Sequence, residues 1–106
     1  MNRGDVCWYT FKGPDKKRPV LIVTRDSAIG VLNSVTVAPI TSTIRSIPTE
    51  VVLTEDDGLP NTCAANFDSL QTVPKGNIGD RIARLTAQKM QEAAVAVSFA
   101  LGLDED

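Results

Sequence analysis

Apolar and polar positions alternate in short runs along most of the chain, and the period changes near its end. The run "GDVCWYTF" sets Val6, Trp8 and Thr10 against Cys7 and Tyr9, and its aromatic content suits a pleated strand. In "KGPDKK", Gly13 and Pro14 break that strand and predict a charged turn. "RPVLIVTR" places an unbroken apolar run between basic residues, the pattern of a central strand buried on both faces. Pro19 at its start is tolerated, because a strand's first residue need not donate to the ladder. Residues 26–33, "DSAIGVLN", form a connection with room for one helical turn capped by Asp26 or Ser27. "SVTVAPI" and "TEVVLT" alternate as two further strands, and Asp57-Gly58 signals a tight turn after them. "CAANFDSLQTV" is strand-like with Asp68 and Ser69 interrupting its polar half. "VPKGN" predicts a turn, and "IGDRIARL" a short strand with Ile78, Ile82 and Leu85 unevenly spaced.

From Thr86 the pattern is helical. "TAQKMQEAAVAVSFALGL" is rich in alanine and other good helix formers. Thr86 is placed to cap its start, and Gly102 sits where a helix end takes a left-handed residue. Met90, Ala93, Val97 and Leu101 make an apolar stripe, with Gln88, Gln91, Glu92 and Ser98 opposite. The expected class is mainly β with α (α+β): a small antiparallel sheet or barrel with a terminal helix packed on it.

Length predicts one domain, able to bury a core without metal or disulfide. No apolar run is long enough to span a bilayer, and "MNRGDVCW" does not read as a signal peptide, so a cytoplasmic location is expected. Cys7 and Cys63 lie in apolar contexts and read as reduced and buried. The absence of histidine removes the commonest general base and metal ligand, and no metal-ligand spacing or phosphate-cradling glycine loop occurs. The net charge of −2 argues against a generally basic nucleic-acid binder. Its distribution is uneven: residues 1–49 hold seven Lys/Arg against three Asp/Glu, and the remainder four against ten. Lys16, Lys17 and Arg18 cluster, with Arg25 and Arg45 not far off in sequence. Such a cluster is either a solvated turn or a grip for an anion.

Three polar features carry candidate chemistry. Arg18, before the most apolar strand, reads first as a strand-ending surface charge; alternatively, the strand aims a guanidinium at a phosphate and binds it through two parallel hydrogen bonds. Thr41, Ser42 and Thr43 either satisfy local backbone groups or floor a site. If their strand neighbours the one starting at Pro19, antiparallel pairing brings Thr41 toward Arg18. Asp68 and Ser69 are either a solvent-facing strand end or, for the aspartate, an acceptor for base amino groups. Trp8 reads as core in preference to a stacking platform.

"RGDV", "RPVLIV", "VAPITS", "IPTEVVL", "NFDSLQTV", "RIARL" and the terminal helix occur in the order seen in MazF/PemK-like toxins, from about Arg3 to Gly102. The resemblance implies a dimerising SH3-like barrel. It also implies a sequence-specific endoribonuclease of a type II toxin–antitoxin system, cutting single-stranded RNA without metal or other cofactor to leave 2′,3′-cyclic phosphate and 5′-hydroxyl ends. By its motifs the catalytic arginine falls on Arg18 and the catalytic threonine on Thr41. Ser42 matches a serine that often follows, and the polar strand from Asn66 puts Asp68, Ser69 and Gln71 against RNA. Lys16, Lys17, Thr43, Arg45 and Ile47 complete the expected RNA contacts. A cognate MazE-like antitoxin with an acidic segment, competing for the groove, is the implied partner. Relatives often carry a longer loop, commonly with a Gly-Ser-Glu element, where this chain has only Thr10 to Lys17. The alternative is a non-enzymatic CcdB-like toxin of the same fold that binds DNA gyrase, against which the helix tail "ALGLDED" offers no aromatic anchor near its end.

Overall fold

The computed structural model describes residues 1–11 and 17–105. Lys16 and all but the last residue of the expected "KGPDKK" turn lie outside them. Seven strands follow in chain order: β1 (Asp5–Thr10), β2 (Lys17–Ile22), β3 (Ser34–Thr41), β4 (Glu50–Leu53), β5 (Cys63–Asn66), β6 (Gln71–Pro74) and β7 (Ile78–Arg84). One helical turn, α1 (Asp26–Ile29), links β2 to β3, and α2 (Ala87–Ala100) ends the chain.

The described pairings between strands are all antiparallel, in the order β4-β5-β3-β2-β1-β7, with β6 also on β3. This is the expected antiparallel sheet with a terminal helix. It differs from a barrel in one respect: among the described residues β4 and β7 do not pair, so the sheet is open.

Alternation divides the core between the two sheet faces. Val6, Leu21, Ala38, Ile40, Val51, Leu53, Ala65 and Phe67 pack with Ala93 and Ala96 of α2. Cys7, Val20, Ile22, Val35, Val37 and Val73 form a second cluster with Ile29 of α1. Val20, Leu21 and Ile22 are therefore buried on alternating faces, as the apolar run of β2 predicts. Each such side chain stabilises the fold by roughly 1.5–3 kcal/mol relative to exposure.

Two irregularities place the polar residues. Along β3, Ile40 faces Ala65 of β5, but Val37 faces Gln71 of β6. Three steps on one side thus meet six on the other. The surplus is the 3-10 turn Phe67–Ser69, where the Asn66 side chain accepts a hydrogen bond from the Asp68 amide and Phe67 is driven into the core. The uneven spacing in β7 also has a cause. Its register against β1 slips between Val6 and Cys7 and again between Cys7 and Tyr9, so strict alternation is lost.

In α2, Thr86 accepts from the Lys89 amide and Gly102 is left-handed at φ 68°, as expected. Its buried stripe is narrower than predicted. Ala93 and Ala96 are buried, Met90 and Val97 partly so, and Leu101, one residue past the end of the helix, is exposed. Both cysteines are free and buried, and burial pushes both thiols above their ordinary pKa, with Asp5 adding to the shift at Cys7 and Asp57 at Cys63.

Candidate active site

Arg18 and Thr41 belong to neighbouring strands. The β2–β3 register runs Ile22↔Val37, Leu21↔Ala38, Val20↔Pro39. Continued two residues, it sets Arg18 opposite Thr41, so their side chains rise from the same sheet face. Two hollows share this pair and Ile40 between them, one of about 390 Å³ and one of about 190 Å³. Arg18 and Thr41 therefore stand at the junction of two depressions, as residues would that meet a strand lying across both.

The chemistry of the pair is set by what each side chain already binds. Thr41 Oγ1 accepts from the Thr43 amide at 3.1 Å, which occupies a lone pair and leaves its O–H free to donate outward. Arg18 is exposed and enters no ion pair among the described residues, and neither do Lys17 and Arg45. Three cations around the two hollows, with no ion pair among the described residues, favour an anionic ligand. Lys17 Nζ lies 5.2 Å from the centre of the Trp8 ring, a cation–π contact. Trp8 itself is half-buried.

The other sequence-predicted residues divide between lining and support. Thr43, Arg45, Ser69 and Gln71 line the larger hollow with Arg18 and Thr41, while Ser42 and Lys17 line the smaller. Ile47 and Asp68 line neither. Ile47 is half-buried, and its carbonyl accepts from the Glu50 amide at 3.0 Å. Asp68 Oδ2 accepts from Thr49 Oγ1 at 2.6 Å, a bond that pins the 3-10 turn to the start of β4 beside the Phe67 amide to Thr49 carbonyl bond. The internal partner of Asp68 thus holds the wall from which Ser69 and Gln71 reach the groove.

Two polar residues lining the larger hollow are not among the expected contacts: Glu50, and Asn66, which the sequence marks only as the start of the polar strand. Glu50 Oε1 accepts from the Arg45 amide at 2.9 Å, a bond made possible by the left-handed Ser46 at φ 55°. The available signal was a lone charge inside the β-branched run "TEVVL". Among the described residues no group of three or more His, Cys, Asp or Glu is placed to hold a metal ion. No helix among them is long and apolar enough to cross a membrane.

The fold is an antiparallel sheet backed by one helix, with Arg18 and Thr41 lining both hollows. A family model described as "PemK-like, MazF-like toxin of type II toxin-antitoxin system" matches residues 2–101. The chain belongs to this family. Endoribonuclease MazF3 of Mycobacterium tuberculosis is 41% identical over 90 residues, covering 85% of this chain and 87% of that protein. The solved toxin MazF-mt6 of the same organism superposes with a TM-score of 0.85 at 36% identity, covering 92% of this chain and 96% of that one. A mycobacterial endoribonuclease in complex with its cognate antitoxin also gives 0.85, at 29% identity over 97% and 96% of the two chains.

Proposed function

We propose that the chain, as a single toxin domain over residues 1–106, is a sequence-specific endoribonuclease toxin that cleaves single-stranded RNA without a metal ion. The observation that carries this reading is that Arg18 and Thr41 line both hollows, beside cations that enter no ion pair among the described residues. The substrate's 2′-oxygen attacks the adjacent phosphorus, a bond forms between them, and the bond to the 5′-oxygen breaks. The 2′-hydroxyl proton is lost and the leaving 5′-oxygen takes one up, giving a 2′,3′-cyclic phosphate and a 5′-hydroxyl. The protein then has to align the 2′-oxygen with the phosphorus and balance charge on the phosphoryl oxygens. Arg18 supplies fixed charge and a fork of donors; Thr41 donates its free O–H to the same phosphate. Lys17, Ser42, Thr43, Arg45, Ser69 and Gln71 hold the strand on either side, with Lys16, Ile47 and Asp68 as the remaining RNA-contact candidates.

On this reading the protein acts in the cytoplasm as a homodimer, and a MazE-like antitoxin inhibits it by laying an acidic segment along the cationic groove. The relatives named endoribonucleases favour cleavage over the gyrase-binding alternative. The test is incubation with a long RNA in excess chelator, followed by sequencing of the new 5′ ends. Cuts at one recurring motif, lost in Arg18→Ala, are expected. Intact RNA together with inhibited DNA gyrase would instead establish the alternative.

A further inference from the structure

Glu50 stands out in the groove because its carboxylate is only half used. Oε1 takes the Arg45 amide, while Oε2 is buried and finds no hydrogen-bond partner among the described residues. An unpaired buried acceptor is costly, and a native structure that keeps one in a groove usually has an external donor for it. Directly opposite, across β4–β5, stands Asn66, which lines the same hollow. Its Oδ1 accepts from the Asp68 amide, which fixes the side-chain amide and leaves Nδ2 as a free donor. Opposed residues hold their Cβ atoms about 5 Å apart, so an acceptor and a donor sit side by side.

We propose that Glu50 and Asn66 form a base-reading pair that fixes which base is accepted at one position beside the cut. A base presents an N–H donor beside an acceptor on its edge, the complement of Glu50 Oε2 and Asn66 Nδ2: amino group and ring nitrogen in adenine and cytosine, ring N–H and carbonyl in guanine and uracil. The two kinds of edge place donor and acceptor differently, so a pair held by the Arg45 and Asp68 amides suits one better than the other. A small turn of the carboxylate about its last torsion, which is broad and two-fold, brings Oε2 to the groove.

Distance separates this role from proton transfer at the scissile group. From Thr41, Glu50 lies two strands across and two residues along, about 12 Å between Cα atoms. That spacing places Glu50 against the base of a flanking nucleotide, while Arg18 and Thr41 hold the phosphate.

The inference rests on the ribonuclease reading, and one experiment separates their failures. An RNA pool randomised around the wild-type cut site is digested by wild type and by Glu50→Gln, and the cut products are sequenced. Wild type is expected to favour one base at one position by roughly 10- to 100-fold. In Glu50→Gln the Arg45 amide keeps its acceptor, and an NH2 group replaces Oε2. Preference at that position then vanishes or moves to another base, with other positions and the end groups unchanged. Asn66→Asp, which keeps the cap on Asp68 and removes the donor, weakens the same position. Unchanged base preference in both variants overturns the inference, as does a uniform fall in cleavage at every sequence. Wild-type protein that cuts no RNA overturns the ribonuclease reading itself, and this inference with it.

Discussion

Arg18→Lys isolates geometry from charge. Lysine keeps a positive charge at the start of β2 but replaces a planar, preorganised fork with a single ammonium on a flexible stem. Arg18 is exposed and makes no ion pair among the described residues, so the substitution removes no packing or pairing from the folded state. The change in stability should stay within about 0.5 kcal/mol, under roughly 4 °C in Tm for a domain of this size. The transition state loses one of two directed hydrogen bonds to the phosphoryl oxygens. Removal of one such preorganised donor costs about 10²–10³ in kcat, or roughly 3–4 kcal/mol. Thr41→Val removes a donor of the same set and should fall by a similar factor. The double variant should fall by less than the product of the two, because both side chains serve one phosphate. Single-turnover cleavage of a short RNA containing the recognised motif, with a thermal melt of each variant, measures both quantities. Full activity in Arg18→Lys, or strict additivity with Thr41→Val, would refute the claim that the two residues act as a unit.

Two further outcomes follow from the fold. Phe67→Ala empties a core position that is 1% exposed, at an expected cost of about 3–5 kcal/mol. It should lower the urea midpoint by more than about 1 M and weaken cleavage below that midpoint, since Ser69 and Gln71 hang from the same turn. Asp5 supplies a pH dependence. Burial alone would raise its pKa, but the hydrogen bond and charge of Arg84, the Asn2 amide and the charge of Arg81 outweigh it and bring the carboxyl below its ordinary value. A depressed folded pKa stabilises above the unfolded value of about 3.9, and that contribution is lost as pH falls through the folded one. Asp5→Asn should therefore destabilise at pH 7 and have progressively less effect below about pH 4, as measured by urea unfolding at both pH values.

The strands that alternate cleanly were legible in the sequence because alternation is set locally by burial on one face or both, as in Val20, Leu21 and Ile22. The Thr86 cap and the left-handed Gly102 were legible for the same reason. What escaped depended on neighbours distant in the chain. Leu101 is exposed and follows the last residue of α2, a boundary that a helical period does not encode. The uneven β7 pattern came from slips against β1, and the split in "CAANFDSLQTV" from pairing with two stretches of β3. At the site, Arg18 and Thr41 were accessible through motif resemblance and simple antiparallel geometry. Glu50 was hidden because its character depends on the Arg45 amide and on Asn66, and both relations exist only in the folded chain. Asp68 was conspicuous as a charge interrupting a strand, yet its carboxylate is engaged by Thr49.

The central claim is that the attacking group is the RNA's own 2′-hydroxyl, aligned by Arg18 and Thr41. The direct measurement uses a short RNA carrying one recognised site, in excess chelator, with a single 2′-deoxy substitution on the nucleotide 5′ to the scissile phosphate. This oligonucleotide is expected to bind and compete with the all-ribose substrate but not to be cut, while the all-ribose strand yields 2′,3′-cyclic phosphate and 5′-hydroxyl ends. Cleavage of the deoxy-substituted strand at the same bond would contradict the claim.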